Sequence, residues 1–269
     1  MRADVSVIIP CFRCAGTIAR ALSSVLDQTL PPGEIYLIDD YSNDSGETLG
    51  ELFKLRDAHP VANIQVLTLN ENIGPGGARN VGWATATKTY VAFLDSDDTW
   101  HPHKLELQLR WMEAHPEVSL TAAQTKPIRP GESPKKIDDA FTANLVSPSK
   151  LLFRNIFPTR TVMVRREIEF RFHPYKRYAE DYLLWLCIVL SGLQAYVLSV
   201  PLGFTYKDEV SSNRLSSRLW AMWLGEVDTY ESLRKTGFIS RGSSFICIIF
   251  SFLKFSVRLL RRAFSSTRT

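Results

Sequence analysis

Apolar runs alternate with segments of helical periodicity along the first hundred residues of the chain. Val5–Ile9 is an apolar, largely β-branched run ended by Pro10, which is typical of a parallel strand buried on both faces. In Thr17–Leu26 the apolar residues recur at intervals of three and four, which predicts a helix. The same patterns predict strands over Ile35–Ile38, Ile64–Leu69 and Tyr90–Leu94, and helices over Glu47–Leu55 and Gly77–Ala86. This alternation predicts a doubly wound, mostly parallel sheet flanked by helices.

Two acidic clusters follow predicted strands at their carboxyl ends, where open α/β sheets bind ligands. Asp39 and Asp40 end the second strand, and Asp95, Asp97 and Asp98 follow the fourth. Three like charges beside a buried strand repel one another and lose hydration, so stability alone does not favour them. Mg²⁺ and Mn²⁺ are commonly held by one or two carboxylates together with substrate phosphates. The second cluster therefore predicts a divalent metal site, with an acidic helix-capping turn as the alternative.

A glycine-rich turn precedes the third predicted helix, which bears Arg79. From Gly74 the chain reads GPGGAR, which lacks the last glycine of the dinucleotide fingerprint G-x-G-x-x-G, so a dehydrogenase is disfavoured. Arg79 suits either a phosphate or a salt bridge with a carboxylate. Cys11 and Cys14 form a C-x-x-C motif between a strand and a helix, but no thioredoxin pattern follows it.

The second half of the chain is less regular. Its patterns predict helices over Pro102–Glu113, Pro148–Arg154 and Tyr182–Leu193, strands over Thr161–Arg165 and Tyr196–Val200, and a mobile loop over Lys126–Lys136. Of the 269 residues, 45% are hydrophobic and 22% are charged, as in ordinary folded proteins. The four cysteines are too few for a disulfide framework, which indicates a reducing, cytoplasmic compartment. The first residues predict a strand and not a secretory signal.

The tail is basic and amphipathic. Residues 240–269 carry six Lys and Arg residues and no acid, so the net charge of +4 leaves −2 for the rest of the chain. The chain beyond Ser216 is predicted to be helical, with an apolar core that Lys254 interrupts and that is shorter than the roughly 20 residues of a spanning helix. One face of this helix carries Ser244, Cys247, Ser251, Lys254, Arg258 and Arg261. Such a helix lies in an anionic membrane surface or packs on protein. Its Phe residues lie on the apolar face, which disfavours nucleic-acid binding.

Six segments together resemble inverting glycosyltransferases of family 2, of the bacterial surface-polysaccharide type. They are VSVIIPCF, LDQT, LIDDYSNDS, NIGPGGARNVGW, FLDSDDTWHPHKL and YAEDYLLW, which span about the first 200 residues in the family's order. The resemblance implies the GT-A fold, a Rossmann-like, mostly parallel sheet flanked by helices. It implies a catalytic domain over residues 1–215, with a nucleotide-binding half (1–100) and an acceptor-binding half (101–215). Residues 216–269 are then a helical, basic amphipathic extension.

The resemblance also implies roles for residues at the donor end of the site. The nucleotide-binding turn falls on Pro10 and Phe12. The carboxylate that contacts the nucleobase falls on Asp40, with Asp39 beside it. Relatives usually carry Tyr-Asn where this chain has Phe12-Arg13, so the resemblance does not imply a side-chain contact with the nucleotide at that position.

The Asp-x-Asp motif of the family falls on Asp95 and Asp97. The resemblance implies that Asp97 binds Mn²⁺ or Mg²⁺ while Asp95 faces the ribose or the metal, and in some relatives the ligand falls at Asp98. The base that deprotonates the acceptor hydroxyl falls on Asp181, in the pair Glu180-Asp181 at a predicted helix start, where capping is its alternative role. No Q-x-x-R-W sequence follows the pair, which disfavours a processive synthase.

The implied reaction moves one hexosyl or N-acetylhexosaminyl group, with inversion and a divalent metal, from a nucleotide-diphosphate sugar such as a UDP-sugar to a saccharide acceptor. Together with the tail, it implies a lipid-linked acceptor, O-antigen or exopolysaccharide synthesis, and peripheral contact with the inner face of the cell membrane. A nucleotidyltransferase on a related fold is one alternative, but its glycine-rich basic loop is missing, since PCFRCAG has one Arg and one Gly. A non-catalytic nucleotide-sugar-binding protein is the other, although all the acidic motif positions are filled.

Overall fold

Strands and helices follow one another in the computed structural model much as the sequence predicts. The structure describes residues 2–129, 131–132, 134–137, 141–206 and 219–266, with side chains up to residue 260. The strands are β1 (Ala3–Cys11), β2 (Pro32–Asp39), β3 (Ile64–Thr68), β4 (Tyr90–Phe93), β5 (Thr99–Trp100), β6 (Val118–Ile128), β7 (Ala143–Leu145), β8 (Met163–Arg165) and β9 (Gln194–Tyr206). The helices are α1 (Ile18–Leu26), α2 (Glu47–Ala58), α3 (Gly74–Thr85), α4 (Lys104–Ala114), α5 (Pro148–Phe153), α6 (Glu180–Leu190), α7 (Leu219–Lys235) and α8 (Arg241–Ser266), with a 3₁₀ turn at Thr159–Thr161. The predicted domain boundary at residue 215 lies outside the described residues.

The strands form one mixed sheet in the order β3-β2-β1-β4-β8-β6-β9-β5, and β7 pairs with β9. The neighbours among β1 to β4 are parallel, and β8 is antiparallel to β4 and β6. Val7 of β1 is level with Ile35 on one side and with Ala92 on the other. Because β1 is paired on both edges and covered on both faces, every position along it tolerates an apolar residue.

The long strands β6 and β9 depart from the sequence-based prediction. β6 is absent from that prediction, and β9 begins earlier and ends later than predicted. The two strands pair in parallel with register shifts near Ala123 and Gln124, and such irregularities break the alternation that marks a strand in a sequence. Lys126–Ile128, predicted as part of a loop, end β6. Pro130 and Ser133 of that loop lie outside the described residues.

Helix α3 begins at Gly74, three residues before the predicted start. The carboxylate of Asp40 accepts hydrogen bonds from the backbone N–H groups of Ile73 (2.8 Å) and Gly74 (2.9 Å), which have no carbonyl partner within the helix. The glycines that follow permit close packing, since a Cβ on Gly82 would lie 2.6 Å from Ile8 Cγ2. The segment that looked like a flexible turn is therefore the first turn of a helix pressed against β1.

The core lies on both faces of the sheet. On the face covered by α3 and α6, four aromatic rings contact one another at centroid distances of 5.3–6.4 Å. These rings belong to Trp83, Phe93, Phe172 and Trp185. The opposite face, covered by α1 and α4, is mostly aliphatic. Helix α6 is apolar nearly all round because it packs against α5, α7 and β9.

Helix α8 packs on the protein through its polar face. The residues buried on this face include Ser244, Cys247 and Ser251. The hydroxyl of Ser251 donates to Glu226 Oε2 of α7 at 2.6 Å. Lys254 Nζ lies 3.4 Å from the same carboxylate, and Arg258 Nη1 lies 3.9 Å from it. The polar face identified in the sequence therefore pairs with an acidic residue of the neighbouring helix and does not point away from the protein.

The opposite face of α8, which we call the outer face, is apolar and exposed. It comprises Phe245, Ile246, Ile249, Phe250, Phe252, Leu253, Val257, Leu259 and Leu260. Over Arg241–Leu260 the helix is 20 residues long with a mean hydropathy of 1.7, and 22% of it is buried. It thus has the length and composition to cross a membrane, so the expectation that its apolar core is too short was wrong by this measure. One such helix is weak support for a span, because some helices of soluble proteins meet the same test.

Candidate functional site

A cleft of about 1370 Å³ opens at the carboxyl ends of β1, β2 and β4. One wall is formed by residues that follow these strands, and the other by residues 144–160 and 177–181. The structure brings most of the predicted site residues to this cleft, namely Pro10, Phe12, Asp40, Arg79, Asp95, Asp97, Glu180 and Asp181. Asp39 and Asp98 are buried and do not line it.

The loop after β1 presents an aromatic ring at the cleft. Phe12 is 46% exposed, and the guanidinium of Arg13 lies 5.3 Å from the centroid of its ring. Arg13 has a φ of 50°, and its backbone N–H donates to Ser42 Oγ (3.1 Å) while its Nε donates to Ser42 O (3.0 Å). Flat rings exposed in this way provide a stacking surface for a nucleobase.

Asp40 lies on the cleft wall with its carboxylate held in place. Besides the two amides at the start of α3, Asn72 Nδ2 donates to Asp40 Oδ2 at 3.0 Å. Burial raises the pKa of Asp40 above its ordinary value, although the helix amides act in the opposite direction. Asp39 accepts a hydrogen bond from the Ser42 hydroxyl instead. Asp40 thus faces the cleft, while Asp39 supports the turn behind it.

Arg79 is buried between the two acidic motifs and joins them. Its Nη2 donates to Asp95 Oδ1 at 2.6 Å and its Nη1 to Glu180 Oε1 at 3.3 Å. Burial acts to raise the pKa of Asp95 and to lower that of Arg79, but the pairing outweighs it. The pKa of Asp95 therefore lies below its ordinary value and that of Arg79 above. Of the two roles predicted for Arg79, the salt bridge is present in the structure.

Asp98 forms a second buried ion pair, with a residue that the sequence did not point to. Its partner is Nε of Arg160, in the 3₁₀ turn, and the same Nε lies 3.9 Å from Asp95 Oδ2. Burial raises the pKa of Asp98 to about 7, and the charges of Asp95 and Asp97 add to this effect while Arg160 opposes it. The Asp98 carboxylate is therefore turned toward Arg160 and not toward the cleft.

Asp97 is the residue of the second acidic cluster that best fits a metal. It lines the cleft next to Asp95, and its backbone carbonyl accepts a hydrogen bond from Arg20 Nη2 at 3.2 Å. Among the described residues, no group of three or more His, Cys, Asp and Glu side chains is placed to hold a metal ion. Asp97 and Asp95 at the cleft offer carboxylate oxygens to a cation that fills its other positions with phosphate oxygens and water, as Mg²⁺ and Mn²⁺ do.

Glu180 and Asp181 both begin α6 but have different surroundings. Burial and the charge of Asp181 raise the pKa of Glu180 to about 7 despite the opposing charge of Arg79. Asp181 lines the cleft, and its Oδ2 accepts hydrogen bonds from Thr159 Oγ1 (2.9 Å) and Asn155 Nδ2 (3.3 Å). Neutral donors thus fix the orientation of the Asp181 carboxylate, whose Oδ1 also accepts from the backbone N–H of Tyr182 at 2.7 Å.

Several further residues of the cleft carry no recognisable motif. Arg177 donates from Nη1 to Asn72 Oδ1 (2.9 Å) and from Nη2 to Asn72 O (2.8 Å), which ties the segment before α6 to the turn before α3. Thr159 and Arg160 lie between two predicted elements in a stretch with no periodicity. The single available signal was the concentration of polar and basic residues around Pro158, which is also typical of an ordinary surface loop.

Comparison with known proteins supports one family. A family model described as glycosyl transferase family 2 matches residues 6–178. A relative named as a teichuronic acid biosynthesis glycosyltransferase, TuaG of Bacillus subtilis (strain 168), is 31% identical over 239 residues, which cover 88% of this chain and 87% of the relative. WfgD of Escherichia coli is 30% identical over 190 residues, 69% of each chain, and is named UDP-Glc:alpha-D-GlcNAc-diphosphoundecaprenol beta-1,3-glucosyltransferase.

A solved structure shares the fold. The mannosyltransferase PcManGT of Pyrobaculum calidifontis, in complex with GDP-Man and Mn²⁺, superposes with a TM-score of 0.67. The match covers 99% of this chain and 81% of that chain at 17% identity. At so low an identity the likeness concerns the fold alone, and the predicted GT-A fold is confirmed.

Proposed function

The chain belongs to glycosyl transferase family 2, and on that premise we propose that it transfers one hexosyl or N-acetylhexosaminyl group, with inversion, from a UDP-sugar to a lipid-linked saccharide. The observation that carries the proposal is the contact of Arg79 with both Asp95 and Glu180. This contact joins the two acidic motifs at one cleft, which supports binding of donor and acceptor close to one another, as direct transfer requires.

On the donor side, the proposal assigns the nucleobase to the wall formed by Phe12 and Asp40. The exposed ring of Phe12 provides stacking, and the Asp40 carboxylate accepts a hydrogen bond from a base N–H group. Asp97, with Asp95 beside it, would hold Mn²⁺ or Mg²⁺ on the diphosphate, where such a cation supplies Lewis-acid stabilisation of the leaving group. The donor in the name of WfgD and the Mn²⁺ bound to PcManGT support this arrangement.

On the acceptor side, the proposal gives Asp181 the role of general base. Its carboxylate takes the proton of the attacking hydroxyl, and an oriented base of this kind contributes roughly 10² to 10⁴-fold to the rate. Thr159 and Asn155 keep the carboxylate pointed along the cleft wall without neutralising its charge. Glu180 pairs with Arg79 and so positions the helix start on which Asp181 stands.

The test is a panel of UDP- and GDP-sugars assayed for Mn²⁺-dependent hydrolysis and transfer, with wild type and Asp181→Asn. We expect the variant to lose about 10² to 10⁴-fold in transfer and to keep wild-type thermal stabilisation by UDP. Asp57→Asn is the matched control, since that side chain is 67% exposed on α2, and it should change neither quantity. Near-normal turnover of Asp181→Asn would contradict the base assignment, and the absence of stabilisation by any nucleotide would contradict the function itself.

We further propose that the protein acts at the cytoplasmic face of the cell membrane in surface-polysaccharide synthesis, such as that of O-antigen or exopolysaccharide. The names of TuaG and WfgD, which concern teichuronic acid and a diphosphoundecaprenol acceptor, support this setting. The outer face of α8 supports it physically, because an exposed apolar helix face of this length is typical of insertion at the acyl boundary of a bilayer. The contact with lipid is thus assigned to the apolar face and not to the basic one.

Vesicle binding tests this contact. Leu253, on the outer face, is 57% exposed, and a carboxylate there costs about 2.5 to 3.5 kcal/mol if it must enter hydrocarbon. Leu253→Asp should therefore bind vesicles of phosphatidylethanolamine and phosphatidylglycerol far more weakly than wild type. Val61→Asp, at a position 86% exposed in the loop before β3, should bind as wild type does. Equal sedimentation of the two variants would count against the membrane contact.

A further inference from the structure

Beyond this proposed function, on which the inference rests, we infer that Lys150 and Arg154 bind the diphosphate of the lipid-linked acceptor. They lie at the junction between the cleft and the outer face of α8. Both side chains line the cleft and are exposed. The inference follows from how α5 is held, from the charges of the cleft and from the position of α8.

Helix α5 is fixed by three other helices through its last carbonyl groups. The hydroxyl of Tyr182 in α6 shares its one hydrogen between Leu151 O (2.7 Å) and Leu152 O (2.9 Å). Tyr230 of α7 also donates to Leu152 O, at 2.9 Å. Lys254 Nζ of α8 donates to Phe153 O at 3.0 Å. Leu151 O also accepts from the backbone N–H of Arg154 (3.2 Å), and the bonds to Leu152 O and Phe153 O satisfy carbonyls that a helix end leaves without partners. The short helix is therefore a rigid support for the residues on its exposed side.

The six cations that line the cleft fall into three groups. Arg79 and Arg160 are neutralised by Asp95, Asp98 and Glu180 in buried or half-buried ion pairs. Arg13 and Arg177 are held by hydrogen bonds to Ser42 O and to Asn72. In the part of the chain that the structure describes, no such ion pair involves the third group, Lys150 and Arg154. Two uncompensated positive charges on one wall of a cleft attract a multiply charged anion, and an Arg guanidinium matches the geometry of a phosphate group.

This pair of cations belongs to the acceptor side of the cleft. Asn155, the residue after Arg154, donates to Asp181 Oδ2 at 3.3 Å. The candidate metal-binding residue Asp97 stands on the opposite wall, after β4. An anion held by Lys150 and Arg154 is therefore part of the acceptor, whereas the donor diphosphate lies toward Asp97.

The same short helix adjoins the apolar outer face of α8. The ring of Phe153 lies 5.1 Å from that of Phe250, at an interplanar angle of 77°, and Phe250 is on the outer face. Six helical residues rise about 9 Å, so a diphosphate at Lys150 and a hydrocarbon chain along Phe250 are within the reach of one lipid molecule. A soluble sugar diphosphate would use the two cations but would gain nothing from this apolar surface.

The experiment measures binding of farnesyl diphosphate and of inorganic diphosphate to the full chain, with saturating UDP and Mn²⁺ so that the donor site is filled. The variant is Lys150→Gln/Arg154→Gln. Its matched control is Lys126→Gln/Arg129→Gln, which removes two exposed cations that do not line the cleft. We expect wild type and control to bind farnesyl diphosphate more tightly than inorganic diphosphate. The cleft variant should lose at least tenfold in farnesyl diphosphate affinity and keep its stabilisation by UDP.

Each outcome separates the inference from the function on which it rests. Unchanged farnesyl diphosphate affinity in the cleft variant overturns the inference. If UDP still stabilises the protein, the transferase proposal is unaffected by that result. Equal affinity of wild type for the two diphosphates overturns the lipid-linked source, because the apolar chain then adds nothing to binding. Failure of UDP to stabilise wild type counts against the proposed function first.

Discussion

The carboxylates at the cleft surface and those in the charged layer directly beneath it have different partners. On the surface, Asp181 is oriented by the hydroxyl of Thr159 and the amide of Asn155, which leave its charge in place. Beneath it, Arg79 pairs with Asp95 and Glu180 at 5% exposure of its own side chain. The buried layer thus pairs opposite charges and holds two walls together, whereas the surface orients a carboxylate with neutral donors, as the role proposed for Asp181 requires.

The largest effect is expected for the loss of the arginine that pairs the carboxylates of the buried layer. Arg79→Met removes the one partner shared by Asp95 and Glu180, and removing one member of a buried ion pair costs about 3 to 5 kcal/mol in the free energy of unfolding. Arg110→Met is the control, because Arg110 is 71% exposed and pairs with Glu106 on the surface of α4. That substitution should cost no more than about 0.5 kcal/mol. Urea unfolding measures both, and equal losses would mean that Arg79 does not hold the layer.

A slightly smaller effect, on rate, concerns the surface. Asp97→Asn should lower metal-dependent transfer by about 10² to 10³-fold, as does the loss of other groups that stabilise developing charge, with the melting temperature nearly unchanged. Asp98→Asn makes the same substitution one residue along, where the carboxylate is turned to Arg160, and should lose much less activity. A larger loss of activity in Asp98→Asn than in Asp97→Asn would place the metal ligand at Asp98. The buried layer would then take part in metal binding as well.

The smallest of the three effects is the pH dependence of stability that Glu180 causes. Its pKa is about 7 in the folded protein against an ordinary value of 4.5, so between these values the folded state holds a proton that the unfolded chain has lost. Stability must then fall as pH rises from about 4.5 to about 7, by at most on the order of 3 kcal/mol. Urea unfolding at pH 5 and pH 7.5 should show this fall in wild type relative to Glu180→Gln. Parallel behaviour of the two proteins would contradict it.

Sequence reasoning located the carboxylates at the ends of strands and the starts of helices, because hydrophobic periodicity predicts where these elements begin and end. Asp40, Asp97 and Asp181 are of this kind, and the structure places all three at the cleft. Arg160 and Asn155 were missed because their positions depend on how an irregular loop packs against α6 and β4. No local pattern records such packing.

The orientation of α8 shows a different limit. Periodicity separated its two faces correctly but left open which of them meets the protein. Glu226, on another helix, decides this by accepting from Ser251 and pairing with Lys254 and Arg258. A polar face is buried when a partner of opposite charge lies opposite to it, and that partner cannot be recognised from the helix alone.

The link between Arg79 and Glu180 also has a consequence in time. The two residues are 101 positions apart, and closing a loop of that size is entropically costly before the intervening elements are formed. At a synthesis rate of about 5 to 20 residues per second, Glu180 leaves the ribosome roughly 5 to 20 s after Arg79. Until then the chain carries Asp40, Asp95 and Asp97 without the wall that bears Asp181. With the role proposed for Asp181, a growing chain is unable to transfer a sugar until this wall has been synthesised.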